Sequence, residues 1–223
     1  MKANFTRIAI ILDRSGSMAD CRESTVAGFN AFINEQKKLP GDANVKLVQF
    51  DDLYETVFDQ KLKDAPELTQ ATFVPRGWTA LLDAQGRTII ELGSELEKMP
   101  EHERPSKVIV VTITDGIENA SKEFTTGKIA AMIKHQRDNY NWDFVFLGAN
   151  QDAVKVASAM NFAPSSAMSY NTSRTGVANT MAAVSNYVGA SRLGHVAMFS
   201  EDDRKLAMDD DDVLNKVTGT SQK

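Results

Sequence analysis

The sequence predicts an α/β fold in which a mostly parallel six-stranded sheet carries helices on both faces. Continuous apolar runs of strand length, several of them rich in β-branched residues, alternate with segments whose apolar residues recur every three or four positions. Continuous runs are typical of parallel strands covered on both faces, whereas the longer spacing places apolar side chains on one side of a helix. Repeated alternation of these two patterns indicates a parallel α/β sheet.

Six apolar runs are predicted to form the strands, in chain order residues 8–12, 45–50, 54–58, 108–113, 144–147 and 166–170. Only three residues separate the second run from the third, which is too short for a parallel crossover. The third run is therefore predicted to return as an antiparallel edge strand. Helical spacing is found in the intervening and following segments, at residues 26–39, 81–96, 129–133, 152–160 and 177–188.

Length and charge favour one domain with a C-terminal tail. Residues 1–190 of the 223 contain the alternating pattern, whereas residues 191–223 are acidic and polar and are predicted to be a flexible tail. The net charge of -5 and the absence of a concentrated Lys/Arg stripe argue against a nucleic-acid partner. No apolar stretch approaches the roughly 20 residues of a membrane span, and no signal peptide is recognisable. We therefore expect a cytoplasmic protein that does not bind membranes.

Oxygen-bearing side chains follow two of the predicted strands. Asp13, Ser15 and Ser17 come after the first strand, Asp115 comes after the fourth, and Thr79 lies just before a predicted helix. Ligands of open α/β sheets bind in the crevice outside the carboxyl ends of the strands, so these five residues are expected to meet there. Helix capping is the alternative explanation for the residues after the first strand, and for Thr79 at a helix beginning near Ala80.

The donor set consists of two carboxylates and three hydroxyls, with no sulfur or imidazole. Hard dications prefer such oxygen ligands, so Mg²⁺ is the predicted metal, with Mn²⁺ and Ca²⁺ as alternatives. Gly16 allows the loop to turn tightly enough for both serines to approach one point.

The order of the D-x-S-x-S sequence, the later threonine and the apolar strand ending in T-D-G resembles the von Willebrand factor A (VWA) domain family. The resemblance covers roughly residues 5 to 190 and implies a Rossmann-like, doubly wound sheet with one antiparallel edge strand. It also implies an intact metal-ion-dependent adhesion site (MIDAS). Ser15, Ser17 and Thr79 would contact the metal there, with Asp13 and Asp115 largely in the surrounding shell. Trp78 departs from the family, which commonly has glycine before this threonine.

The resemblance also implies a non-enzymatic, metal-dependent protein-binding module. Neutral hydroxyl ligands leave the metal much of its charge, so an Asp or Glu carboxylate of a protein partner can complete the coordination. Stand-alone intracellular members from bacteria and phages work beside AAA-type ATPases or in macromolecular assembly, and such components are the implied partners. We expect an adaptor of that kind.

A magnesium-dependent phosphohydrolase on a similar sheet is the alternative from another functional class. Enzymes of the haloacid dehalogenase type also place an aspartate at the end of the first strand, but they need a second aspartate two residues later. Ser15 occupies that position here. Nucleotide-binding glycine loops and the G-x-S-x-G elbow of serine hydrolases are also missing, so no catalytic residues are predicted.

Overall fold

The computed structural model describes residues 1–149 and 152–210, and its strands confirm the predicted sheet. The six strands are β1 (Lys2–Asp13), β2 (Asp42–Phe50), β3 (Tyr54–Lys61), β4 (Pro105–Thr114), β5 (Asp143–Ala149) and β6 (Ala167–Tyr170). They form one sheet in the order β3-β2-β1-β4-β5-β6. β3 pairs antiparallel with β2 at the edge, as the short connection predicts, and the remaining pairs are parallel.

In the described part of the chain, six α-helices connect or flank the strands. They are α1 (Arg22–Lys38), α2 (Leu81–Lys98), α3 (Thr126–Tyr140), α4 (Ala153–Ala159), α5 (Arg174–Arg192) and α6 (Glu201–Ala207). No helix within the described ranges is long and apolar enough to cross a bilayer. The first five agree with the predicted helical segments, whereas α6 lies in the region predicted to be a tail.

The sheet separates two apolar cores. One core packs the sheet against α1, α5 and the segment around α6, and the other packs it against α2, α3 and α4. Alternate residues of β1 face the two sides, with Ile10 and Leu12 in the first core and Ala9 and Ile11 in the second. This alternation explains why the strand sequence is continuously apolar, because both of its faces are buried.

The described part of the C-terminal segment differs from the predicted flexible tail. The proposed boundary at residue 190 falls within α5, and the following chain folds back so that Phe199 and Ala207 are buried. Arg204 of α6 donates to the backbone oxygens of Ala167 (2.7 Å) and Pro164 (2.9 Å). These apolar and hydrogen-bonding contacts fix the segment on the domain. Residues 211–223 of the predicted tail lie outside the described residues.

The strand order reverses between β1 and β4, because the chain leaves β1 towards β2 on one side and leaves β4 towards β5 on the other. These two strands lie side by side, with Leu12 opposite Ile113. Such a reversal opens a crevice at the carboxyl edge of the sheet. Asp13 and Asp115 stand at the two strand ends that border it.

Candidate functional site

The loop after β1 folds around the carboxylate of Asp13. This side chain is fully buried, and its Oδ1 accepts a hydrogen bond of 2.6 Å from the backbone N–H of Ser15. A short 3-10 turn at Gly16–Ala19 follows, and it brings the hydroxyl of Ser17 to 3.2 Å from the hydroxyl of Ser15. Asp13, Ser15 and Ser17 thus lie together, as their spacing predicts.

The loop after β4 is hydrogen-bonded to the loop after β1. The hydroxyl of Ser17 donates to Asp115 Oδ1 at 2.6 Å. The hydroxyl of Thr114, the last residue of β4, donates to Asp13 Oδ2 at 2.5 Å. Two neighbouring strand ends therefore share a single polar cluster. Thr114 was not predicted as a site residue, because only the pairing of β1 with β4 places it beside Asp13.

Thr79 reaches the same cluster from the segment before α2. A Cβ built on Gly116 would lie 2.7 Å from Thr79 Oγ1 and 3.5 Å from Asp13 Oδ2, so the three residues are close neighbours. Thr79 is buried, but it shares no described hydrogen bond with the other four predicted site residues. The structure thus brings all five predicted residues to one place, four through hydrogen bonds and Thr79 through proximity.

Helix capping does not explain these residues. Ser15 precedes the 3-10 turn at Gly16–Ala19 and Cys21 precedes α1, but neither side chain makes a capping hydrogen bond. The N-cap of α2 is Ala80, which has no capping side chain, and Thr79 stands one residue before it. The capping alternative is therefore wrong for these helix starts, and the hydroxyls are left for another role.

The two carboxylates carry charge in an unfavourable environment. Burial raises the pKa of Asp13 to about 6, against the hydrogen bonds from Thr114 and Ser15 that lower it, and the nearby Asp115 raises it further. Burial also raises the pKa of Asp115, despite its hydrogen bond from Ser17. Neither carboxylate forms an ion pair with a Lys or Arg of the described residues. A buried carboxylate without a cation is costly to keep ionised.

A buried ion-pair network supports the site from the β2 side. Asp51, which follows β2, accepts from Arg14 Nε at 3.0 Å and from Arg76 Nε at 2.8 Å. Arg14 also donates to Glu55 at 2.7 Å, and its backbone oxygen accepts from the N–H of Arg76. Asp51 thereby joins the loop that carries Ser15 to the segment that carries Thr79. The sequence suggested only a turn at Asp51, although it follows a buried strand as Asp13 does.

Three side chains hold the start of α2 against the loop after β4. Asn119 Oδ1 accepts from the N–H of Thr79 at 2.9 Å, and Glu118 accepts from the N–H of Leu82 at 3.0 Å. The carboxylate of Asp83 accepts three backbone N–H groups of residues 122–124, which lower its pKa against the effect of burial. These contacts fix the position of Thr79. The sequence alone does not reveal these contacts, because the bonded residues lie about 40 positions apart.

Exposed apolar side chains stand on the loops that form the site. Leu53, Trp78 and Ile117 are 59%, 67% and 68% exposed, and we call these three residues the apolar rim. Trp78 directly precedes Thr79, and Ile117 lies two residues after Asp115. Leu53 is bonded to Asp51 through its backbone. Each of three loops around the site thus presents one exposed apolar side chain to solvent.

The donors available at the site are consistent with a hard metal ion. No group of three or more His, Cys, Asp or Glu side chains suited to a metal occurs in the described ranges. The candidate site instead combines two carboxylates with three hydroxyls, and oxygen donors of this kind suit Mg²⁺ or Mn²⁺. Because Gly116 has no Cβ, the space between Thr79 and Asp13 stays open.

No protein-family model and no curated protein sequence matches this chain. Solved structures do match. A von Willebrand factor type A protein from Catenulispora acidiphila has a TM-score of 0.55 at 15% identity over 83% of this chain and 43% of its own. Proximal thread matrix protein 1 from the mussel byssus, solved with a zinc-occupied MIDAS motif, has a TM-score of 0.57 at 18% identity over 83% and 46%. The ArnB paralog VWA2 from Sulfolobus acidocaldarius has a TM-score of 0.51 at 14% identity over 80% and 44%.

These likenesses show that the chain has the VWA fold, a Rossmann-like α/β fold, as the sequence resemblance implies. The chain spans less than half the length of each of the three proteins. At identities below 20% they carry no information about which molecules this chain binds.

Proposed function

We propose that the chain is a metal-dependent protein-binding module, in which a MIDAS-type site at the carboxyl edge of the sheet recognises an acidic residue of a partner. The observation that carries this proposal is the pair of buried carboxylates, Asp13 and Asp115, that have raised pKa values and no Lys or Arg partner among the described residues. A dication would supply the missing positive charge.

The hydroxyls of Ser15, Ser17 and Thr79 would hold the metal directly, and Asp13 and Asp115 would balance its charge, in part through water. Mg²⁺ fits this oxygen set best, with Mn²⁺ and Ca²⁺ as alternatives. Zinc in the mussel protein's MIDAS motif supports the use of a divalent cation at a site on this fold. When bound, the metal would act as a Lewis acid that accepts one carboxylate oxygen from the partner.

The chain's own residues would prepare this recognition. Thr114 and Ser15 orient the carboxylate of Asp13 through hydrogen bonds, and Asp51 holds Arg14 and Arg76 so that the loops keep their positions. The apolar rim would pack against the partner's side chains that flank the acidic residue. This packing would add buried interface area to the small contact made by one carboxylate. The partner is therefore expected to carry an Asp or Glu among apolar neighbours.

An adaptor role without catalysis is part of the proposal. The alternative, a magnesium-dependent phosphohydrolase, needs a second carboxylate two residues after Asp13, and the chain has the hydroxyl of Ser15 there. AAA-type ATPases and assembly components in the cytoplasm are the partners that we would seek first, because the sequence resembles stand-alone intracellular members of the VWA family.

Immobilised wild-type protein, incubated with lysate in Mg²⁺ or in EDTA, tests the proposal together with the variant Asp13→Ala/Ser15→Ala. We expect a partner that is retained only by the wild type with Mg²⁺, and whose retention is lost when one of its acidic residues is changed to the amide. Trp78→Ser should weaken retention, whereas Ile90→Ser, which removes an exposed apolar side chain of α2, should not. Equal retention by all proteins in EDTA would contradict the proposal.

A further inference from the structure

A pocket of about 330 Å³ lies at the amino edge of the parallel strands, opposite the candidate metal site. Its walls are the starts of β1 and β2, the end of β3 and the last turns of α1 and α5. Five cationic side chains line it, and we call it the basic pocket: Lys2, Lys37, Lys61, Lys63 and Arg192. Concentrated positive charge is unexpected in a chain whose net charge is -5.

The basic pocket has a large excess of positive charge. Asp42 is the one acidic residue among its lining, and Lys2 Nζ lies 2.8 Å from Asp42 Oδ2. The hydrogen bond from Lys2, with smaller contributions from Lys61 and Lys63, lowers the pKa of Asp42. Lys37 donates to the backbone oxygen of Ala65 rather than to a carboxylate. Five cations therefore share one carboxylate.

Arg192 is held in place, and it has no carboxylate counter-ion among the described residues. Its Nη1 donates to the backbone oxygen and to Oε1 of Gln36, at 2.7 and 3.2 Å, and its Nη2 donates to the backbone oxygen of Gly41 at 3.4 Å. Its Nε is buried and has no hydrogen-bond partner within residues 1–149 and 152–210. Because burial is not offset by a carboxylate, the pKa of Arg192 is lowered. Arg192 is half-buried, and its positive charge is therefore only partly solvated.

Helix position explains only part of this cluster. Lys37 and Arg192 lie in the last turns of α1 and α5, where a cation is favoured by the helix dipole. Lys2, Lys61 and Lys63 lie on strands and on a short turn, where no such effect operates. All three lysines are exposed. Because Lys2 is paired with Asp42, the amino groups that can approach a ligand at the mouth of the pocket are those of Lys61 and Lys63.

We infer that the basic pocket binds a small ligand carrying two or more phosphate groups. A guanidinium charge held in place with lysines around it is suited to phosphate, which lysine contacts through its point charge. The volume is at the lower end of the range for small-molecule sites, which suits a compact polyanion. Binding there does not require the candidate metal site, which lies at the other edge of the sheet.

Calorimetric titration with inorganic tripolyphosphate, in metal-free buffer with EDTA and low salt, tests this assignment. We expect one ligand per chain and an affinity that falls as salt is raised. A second titration with ATP distinguishes two sources of the phosphates: equal affinity indicates an inorganic phosphate chain, and tighter ATP binding indicates a nucleotide. Either result supports a phosphate site.

The variant Lys61→Gln/Lys63→Gln should bind tripolyphosphate at least about tenfold more weakly, because two charges within contact range are removed. The control Lys134→Gln/Lys155→Gln removes the same charge from exposed positions on α3 and α4 and should bind like the wild type. Both variants are expected to keep the wild-type unfolding midpoint. Absent binding by the wild type, equal loss in both variants, or tighter binding of an oligo-aspartate peptide than of tripolyphosphate would overturn the inference.

Discussion

Asp13 combines three properties that rarely occur together: full burial, hydrogen bonds from Ser15 and Thr114, and no cationic partner among the described residues. The hydrogen bonds favour its charged form, yet burial dominates and raises its pKa to about 6. Without metal, this carboxylate therefore costs stability at neutral pH, and a bound dication would offset that cost.

Asp13→Asn should change how the stability of the metal-free protein depends on pH. Because the folded-state pKa of about 6 lies above the ordinary value of 3.8 for an aspartate, the folded state binds the proton more tightly. The unfavourable contribution of Asp13 is thus fully present above pH 6, shrinks between pH 6 and 4, and is absent below. The variant should be more stable than the wild type at pH 7.5 by about 1–3 kcal/mol, and this advantage should vanish near pH 4.

Urea unfolding in EDTA at pH 7.5, 6 and 4 measures the difference. With saturating Mg²⁺ at pH 7.5 the order should reverse, because only the wild type gains from the metal. An advantage of the variant that is constant across the three pH values would show that Asp13 does not titrate in this range.

Gly116→Ala should weaken metal binding with little loss of stability. The added Cβ would lie 2.7 Å from Thr79 Oγ1, which is too close, so the threonine hydroxyl must move. We expect the apparent Kd for Mg²⁺, read from the metal dependence of the unfolding midpoint, to rise about tenfold or more, as for a loss of about 1.4 kcal/mol. Gly127→Ala is the matched control, since its Cβ would meet no atom within 4 Å. An equal Kd for both variants would show that Thr79 does not contribute to metal binding.

That the five residues would lie together could be predicted from the sequence, because short side chains after apolar runs are a local signal. The roles of Thr114 and Asp51 could not be found in the same way. Thr114 acts on Asp13 across 101 positions of sequence, through strand pairing. Asp51 follows a buried strand, as Asp13 does, but its two arginine partners lie 37 and 25 positions away, so it suggested only a turn.

At the level of elements, the ion-pair network of Asp51 joins three loops, and its loss should lower the free energy of unfolding. Asp51→Asn leaves the buried guanidinium of Arg14 with only the exposed Glu55 as a charged partner. We expect a loss of about 2–4 kcal/mol in the free energy of unfolding, because breaking a buried pair leaves an uncompensated charge.

Chemical denaturation measures this loss, with Glu35→Gln as the control. Glu35 pairs with Lys38 on the exposed face of α1, where removing the pair should cost at most about 0.5 kcal/mol. Similar small losses for both variants would mean that the network of Asp51 does not hold the loops.

The docking of α6 gives a second prediction at this scale. Phe199 is buried against Tyr187, with the ring centroids 5.1 Å apart, so Phe199→Ala should cost about 3 kcal/mol. Val196→Ala is the control, since Val196 is 85% exposed and should change stability by less than about 0.5 kcal/mol. Equal unfolding midpoints for the two variants would instead support the prediction of a flexible tail.

The sequence did contain a local signal for α6 that the acidic composition obscured. Ser200 and Asp203 form a capping box, in which each side chain accepts from the backbone of the other residue. The apolar contacts that stabilise α6 on the domain come from single residues, Phe199 and Ala207, rather than from a periodic run. Composition therefore predicted a solvated segment, whereas tertiary contacts decided the result.

On the scale of the whole molecule, the predicted sheet was correct because β1 and its neighbours are buried on both faces and read as continuous apolar runs. The short connection between β2 and β3 also determined the antiparallel edge. The two candidate ligand sites differ in how they can be recognised in the sequence. The candidate metal site follows from strand ends, whereas the basic pocket gathers residues from three strands, two helices and a short turn and has no contiguous motif.

The proposal that the carboxyl edge of the sheet holds a divalent cation is tested by the thermal unfolding midpoint, measured in EDTA and in rising Mg²⁺. A ligand that binds only the folded state adds about 2.7 kcal/mol at a hundred times its Kd, so the wild-type midpoint should rise by several degrees. Asp13→Ala/Ser15→Ala should show no rise, while Asp64→Ala, which removes an exposed carboxylate far from the site, should respond like the wild type. A wild-type midpoint that is insensitive to Mg²⁺, Mn²⁺ and Ca²⁺, or a double variant that responds fully, would contradict the claim.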